Sequence, residues 1–191
     1  MAIREKICGW PDPREFLLEL KATLDDLAWD EDRTKRFESA IDWLGQYLGF
    51  STQRPDHLYH KGPDNLWCLG DGTFFVIECK SGATGDRINR SDIEQLLHSE
   101  AWFKEMYGEQ TKHTPIVIHP SRKLADDAVA SPESRVVNDE RLIKLRTAAS
   151  DFFIAVSGKG SVLEPSKISE NLIKYSFTPG QFVNCYTTKL E

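Results

Sequence analysis

Gly62-Pro63-Asp64-Asn65-Leu66-Trp67-Cys68-Leu69-Gly70-Asp71-Gly72-Thr73-Phe74-Phe75-Val76-Ile77-Glu78-Cys79-Lys80 is the stretch whose reading decides the fold. Two runs, Leu66–Leu69 and Thr73–Lys80, are rich in apolar, aromatic and β-branched residues. Gly70-Asp71-Gly72 separates them, and glycines flanking an aspartate between such runs predict a β-hairpin. Side chains alternate along a strand, so Glu78 and Lys80 point to one side and Cys79 to the other. Thirteen residues lie between Asp64 and Glu78. A hairpin of that length returns the end of its second strand to the start of its first, which sets Asp64 beside Glu78 and Lys80.

Outward from the hairpin, helices are signalled on both sides. Asp12-Pro13-Arg14-Glu15 supplies an N-cap, a proline at the first helical position and a capping-box glutamate. Phe16, Leu17, Leu20, Leu24 and Leu27 follow at helical spacing. A second helix is predicted from about Arg33 to Leu48, with Phe37, Ala40, Ile41, Leu44, Tyr47 and Leu48 on one face and Gly49 ending it. Glu38 lies at the edge of that face. Phe50–Arg54 reads as a short strand followed by a polar turn. After the hairpin, Ser91-Asp92-Ile93-Glu94 reads as a capping box opening a helix to about Tyr107, and Pro115–Ile118 as a buried strand. Asn138–Ala149 looks helical, Phe152–Val156 fits either a continuation of that helix or a strand, and Pro165–Tyr175 reads as the last helix. The order predicts a mixed α/β domain, not a repeated βαβ array.

The chain has 191 residues, 40% of them hydrophobic and 28% charged, which suits one domain with a core of its own. We expect a single unit: an acidic helical extension over 1–32, a core over 33–120, and a C-terminal completion over 121–191. The end residues Met1-Ala2 and Leu190-Glu191 suggest a domain excised from a longer protein. The longest apolar run, Phe152–Val156, is far short of the roughly 20 residues a spanning helix needs. The first residues lack the apolar region of a secretory signal, and the four cysteines form no C-x-x-C pair. Together these favour a cytoplasmic setting without membrane or disulfide framework. The net charge of −6 argues weakly against nucleic acid, but its distribution matters. Residues 1–32 hold 4 basic and 9 acidic side chains, whereas the remaining 159 hold 20 and 21. A local basic face therefore stays open.

The chemistry follows from Asp64, Glu78 and Lys80. Two carboxylates and an ammonium at one strand end are costly to bury without compensation. A divalent ion held by Asp64, Glu78 and the Cys79 backbone carbonyl would supply it, and oxygen ligands of this kind favour Mg²⁺ or Mn²⁺ over zinc. Lys80 would hold the attacking water, or stabilise the charge that builds on phosphorus during phosphodiester hydrolysis.

Pro63-Asp64 followed by Glu78-Cys79-Lys80 resembles the PD-(D/E)XK nuclease superfamily, the restriction-endonuclease-like fold. The resemblance covers roughly residues 33–120. It implies an αβββαβ core, a central mixed sheet flanked by helices, with an added N-terminal helix and a C-terminal α/β tail. It also implies roles for Glu38, as an acidic residue near the metal, and for Gln95, as a glutamine near the scissile phosphate. The expected activity is that of a Mg²⁺- or Mn²⁺-dependent deoxyribonuclease, endonuclease in preference to exonuclease. DNA is the expected partner, and a fused or associated helicase or ATPase is implied in repair or restriction. The alternatives are an inactive nucleic-acid-binding or assembly module of the same fold, and a nuclease acting on RNA.

Each position also has a plainer reading. Glu78 and Lys80 would make a surface ion pair on an edge strand, Asp64 a turn residue after Pro63, and Glu38 a solvated flank of its helix. Gln95 shares a face with His98, Ser99 and Trp102 and could cover the core edge. Pro55-Asp56 is a second proline–aspartate whose longer spacing suits the motif less well. His57-x-x-His60 lacks further ligands at metal spacing, and Gly158-Lys159-Gly160-Ser161 lacks the spacing of a phosphate loop. Phosphate contacts are expected from Arg54, Lys61, Arg87 and Arg90, with a second basic group of Arg135, Arg141, Lys144 and Arg146 on a later helical stretch.

Overall fold

The structure is a computed structural model that describes residues 2–158 and 162–191. Six strands form one mixed sheet in chain order: β1 (Ser51–Gln53), β2 (Asn65–Cys68), β3 (Phe74–Cys79), β4 (His113–Ile118), β5 (Arg135–Val137) and β6 (Thr188–Lys189). β1, β2 and β3 run antiparallel in succession, β3, β4 and β5 parallel, and β6 antiparallel to β5. This is an α/β architecture whose meander half meets a parallel half at β3.

Alternation along β3 decides what each face carries. Phe75 and Ile77 join Trp67, Ile116, Ile118 and Val137 in the main core. That core is closed by α1 (Ala2–Cys8), α2 (Pro13–Asp25), α3 (Thr34–Tyr47), α6 (Asp139–Ser157), α7 (Pro165–Lys174) and α8 (Pro179–Tyr186). Val76 and Leu66 face the other way and pack with Phe103 of α5 (Arg90–Tyr107), while Val117 and Val136 pack with Ile93 and Leu96 of the same helix. The sheet thus lies between a thick helical layer and a single helix. Parallel pairing of β3 with β4 requires a crossover, and α5 provides it. Between β4 and β5 the crossover is irregular chain, which packs Ala128 beside Ile93 and pairs Leu124 with Ile88.

The hairpin forms as its sequence predicts, with Trp67 opposite Phe75. Asp12 caps α2 through a 2.8 Å bond from the Arg14 amide, and Gly49 ends α3 at φ 85°. Elsewhere the structure departs from expectation. The polar turn after β1 contains the short helix α4 (Pro55–Tyr59), begun by Pro55 and ended by His60 in the left-handed region. It has no apolar stripe to betray it, because Pro55 alone is buried. The α5 cap is Asn89, not Ser91, and it makes no side-chain bond. Phe152–Val156 continues α6: Ala149, Phe152, Phe153 and Val156 recur at helical spacing and are all buried. Arg135 lies in β5, not in a helix, since three residues are too few to show a period. The chain does not finish at α7, because α8 and β6 follow and bring Phe182 and Tyr186 into the core. The Lys159-Gly160-Ser161 portion of the glycine-rich stretch lies outside the described residues. All four cysteines are free, and no described helix is long and apolar enough to cross a membrane.

Candidate active site

The C-terminal end of β3, the residues before β2, and the first turns of α5 and α3 enclose a cleft of about 540 Å³. Glu38, Asp64, Glu78, Cys79, Lys80 and Gln95 all line it, as do Asp56, Gly62, His98 and Ser99. The sheet register explains the convergence. Asn65 pairs with Ile77, so Cys79 falls opposite Pro63, just beyond the paired strands. The Pro63 carbonyl is taken by the Asp56 amide at 3.1 Å. The Cys79 amide donates instead to Asp64 Oδ2 at 2.7 Å. Pro63 has no N–H, so the β2 side of the ladder offers the Cys79 carbonyl no donor.

Glu78 is 5% exposed and fully engaged. Its Oε1 accepts from the Ser99 hydroxyl at 2.6 Å and its Oε2 from Lys80 Nζ at 3.3 Å. Lys80 Nζ also donates to Gln95 Oε1, so the amide and the ammonium are a contacting pair. Glu38 approaches from α3, with Oε2 held by Arg54 Nη2 at 2.6 Å. Buried Asn65 links this wall to the sheet, donating from Nδ2 to the Glu38 carbonyl at 3.1 Å.

Crowded carboxylates set the electrostatics. Burial, then the charge of Asp64, pushes Glu78 up to about 7. Burial likewise raises Asp64 despite the Cys79 amide, and raises Glu38, with Asp64 adding to the effect. For Lys80 burial opposes the charge, but Glu78 and Asp64 outweigh it and hold the ammonium above its ordinary range. The cleft is thus an anionic recess with one fixed cation, and it favours protons or a hard cation.

Among the described residues, no group of three or more His, Cys, Asp or Glu side chains stands close enough together to hold a metal ion. Magnesium, which keeps several waters, needs only one or two carboxylates. Asp64 and Glu78, both raised by burial, and the Cys79 carbonyl that lacks a ladder donor fit that demand. Glu38, the third carboxylate expected near a metal, has its Oε2 engaged by Arg54 at 2.6 Å.

The expected phosphate contacts are scattered and mostly paired. Arg54 is bound to Glu38 and to Ser39 Oγ (2.8 Å) with its side chain 16% exposed, so it orders the cleft wall and does not reach outward. Arg87 pairs with Asp126 and Arg90 with Glu94 at 2.7 Å. Lys61 is exposed and makes no ion pair among the described residues. The second basic group secures the C-terminal segment: Arg135 donates to Thr187 Oγ1, Arg141 to the Cys185 carbonyl, and Lys144 lies over the Tyr186 ring. Arg146 is 4.0 Å from Asp25.

Three further residues, two of them in the cleft, received no role from the sequence. Asp56, noted in the sequence only as the less well-spaced proline–aspartate, raises both Asp64 and Glu38 from the short helix α4. Ser99 shares the Gln95 face noted in the sequence, but its bond to Glu78 depends on how α5 docks on β3. His119, fully buried beyond β4, accepts from the Ser121 amide at Nδ1 (2.9 Å), and Nε2 has no partner. Comparison with protein-family models, with curated proteins and with solved structures finds no match.

Proposed function

We propose that the chain is a metal-dependent nuclease of the restriction-endonuclease-like fold, cleaving phosphodiester bonds in DNA at the cleft between β3 and α5. The observation that carries this reading is the meeting of Asp64, Glu78, Lys80 and Gln95 in one cleft, from segments far apart in sequence. A surface ion pair would not be buried, whereas the Glu78 and Lys80 side chains are 7% and 15% exposed.

Asp64 and Glu78 would hold Mg²⁺ or Mn²⁺ together with the Cys79 carbonyl; the ion would supply Lewis-acid chemistry and a more acidic water. Lys80, fixed between Glu78 and Gln95, presents a permanent positive charge where negative charge develops on the phosphoryl oxygens. Gln95 orients that ammonium, and Ser99 fixes the Glu78 carboxylate in one rotamer. Arg54 and Asn65 keep Glu38 at the wall, where its charge favours cation entry.

The deciding experiment incubates plasmid and linear DNA with the protein in Mg²⁺, Mn²⁺ or EDTA, beside an identically purified Glu78→Gln variant. Metal-dependent cleavage by the wild type alone supports the reading. Cleavage by both proteins would expose a contaminant and refute it. A second reading, an inactive module of the same fold, draws on the ion pairs that already neutralise Glu78 and Glu38. It predicts no cleavage and no metal-induced rise in melting temperature.

A further inference from the structure

Beside the cleft, α4 and the end of α5 carry an exposed aromatic and apolar patch. Tyr59 is 58% exposed, Leu58 54%, Met106 62% and Tyr107 41%. Tyr107 stacks on Phe103 at 4.9 Å and meets Trp102 edge-on at 6.3 Å. The Tyr59 hydroxyl is steadied by Gln53 Nε2 at 3.2 Å. The rings are therefore held in place from below while remaining open above.

The patch is continuous with the cleft. A Cβ on Gly62 would lie 2.7 Å from the Trp102 ring, so that ring rests on the backbone of a residue that lines the cleft. Gln95, Ser99, Trp102 and Met106 follow one another at helical spacing along α5, from the Lys80 contact to the patch. Trp102 is seven positions along the chain from Gln95, a span of roughly 10 Å at the rise of a helix. Lys61, exposed and without an ion pair among the described residues, sits between α4 and Gly62, with exposed His57 and His60 nearby.

We propose that this patch is a stacking platform for unpaired nucleobases, so that the strand entering the cleft is single-stranded DNA. The proposal rests on the nuclease reading of the cleft and names its substrate. Base faces are hidden within a duplex and available in a single strand, and exposed, immobilised aromatic rings are what such faces stack on. Glu105 and Glu109 lie at the same end of α5, so stacking, not charge, must supply most of the affinity there, and the salt dependence should be shallow. A protein partner is the competing occupant. Exposed Lys61, next to the cleft-lining Gly62, and the Trp102 ring resting on that glycine favour a nucleic-acid strand.

The test measures fluorescence anisotropy of labelled oligo-dT, a hairpin duplex and oligo-rU with the full chain in EDTA, where cleavage cannot interfere. Oligo-dT should bind about tenfold more tightly than the duplex. Tyr59→Ala should weaken it about tenfold and Tyr59→Phe should restore it, because the ring and not the hydroxyl stacks. Leu58→Glu, also on an exposed position, should weaken single strands by adding a negative charge to the platform. Unchanged melting temperatures would exclude misfolding. Equal affinity for duplex and single strand, no loss in Tyr59→Ala, or binding confined to oligo-rU would overturn the proposal. Absence of binding to every oligonucleotide would overturn it too, and Mg²⁺-dependent cleavage of DNA would then still support the nuclease reading. Selective binding of oligo-dT with no cleavage in Mg²⁺ or Mn²⁺ would support the platform and sink the nuclease.

Discussion

The Cys79 amide donates to Asp64 Oδ2 at 2.7 Å, a side-chain bond standing where the β-ladder would otherwise continue. It ties the two halves of the Pro63-Asp64 and Glu78-Cys79-Lys80 pattern together. Pro63 cannot pair as a donor, and its carbonyl serves Asp56, so the ladder ends there and a carboxylate takes over. One Asp64 oxygen is thereby fixed, and the carboxyl group also meets that of Glu78.

Asp64→Asn and Asp64→Ala should consequently differ. Asparagine keeps an oxygen for the Cys79 amide while removing a buried charge. Its metal-free melting temperature should equal or exceed that of the wild type. Alanine strands the amide and should unfold about 1–3 kcal/mol more easily than the asparagine variant. Both should lose at least ~10³-fold in cleavage, and the rise in melting temperature with Mn²⁺, since each removes the anionic ligand. Denaturant titrations with and without Mn²⁺ would check this. An asparagine variant that cleaves at the wild-type rate would contradict it.

Glu78 gives the protein a pH dependence of known sign. Its folded pKa, about 7, lies above the ordinary 4.5, so the native state holds a proton that the unfolded chain releases. The contribution to stability is complete below about 4.5 and is lost as the pH rises through about 7. Glu78→Gln cannot titrate. In EDTA its stability relative to the wild type should therefore grow by on the order of 2 kcal/mol between pH 5 and 8. Urea unfolding at several pH values would read it directly. If Glu78 holds a metal as proposed, the metal competes with that proton, so Mg²⁺ should stabilise the wild type more at pH 8 than at pH 6.

Much of this site could be read from the residues before any coordinates. Strand alternation put Glu78 and Lys80 on one side, and hairpin length brought Asp64 to them, because both are short-range properties of the chain. Asp56 was visible only as a second, less well-spaced proline–aspartate, because its approach to the cleft depends on Pro63 accepting its amide. The pairing of the basic residues was hidden for a related reason. A sequence shows that Arg54, Arg87 and Arg90 are charged, but not that Glu38, Asp126 and Glu94 fold onto them. Arg135 and the C-terminal α8 and β6 are set by docking onto the sheet and α6, which leaves little local signal.

The packing of α3 on the meander hangs on Gly45. A Cβ there would lie 2.6 Å from the Trp67 ring and 2.7 Å from the Thr52 methyl, with Trp67 almost wholly buried. Alanine ordinarily favours a helix, by about 1 kcal/mol over glycine. Here Gly45→Ala should destabilise by about 1–3 kcal/mol, because overpacking outweighs propensity. Thermal unfolding would show it, and a stabilised Gly45→Ala protein would mean that α3 does not press on β1 and β2 so closely.

Arg54 and Lys61 are both cations near the cleft, yet their removal should be felt in different measurements. Arg54 is bound to Glu38 at 2.6 Å and to Ser39, with both charged side chains largely shielded (16% and 22% exposed). Arg54→Ala leaves a carboxylate shielded and unpaired, which should cost about 1–3 kcal/mol of stability. Arg54→Lys should recover only part of that, since an ammonium cannot serve Glu38 and Ser39 in the same forked geometry. Neither change should alter how DNA affinity varies with salt, because a paired guanidinium releases no counterion. Lys61 is exposed, without an ion pair among the described residues, so Lys61→Ala should leave stability unchanged and reduce the salt slope by about 1. Affinity for one oligonucleotide at several salt concentrations, measured in Ca²⁺, separates the two. A reduced slope in Arg54→Ala would mean that the guanidinium leaves Glu38 to reach phosphate.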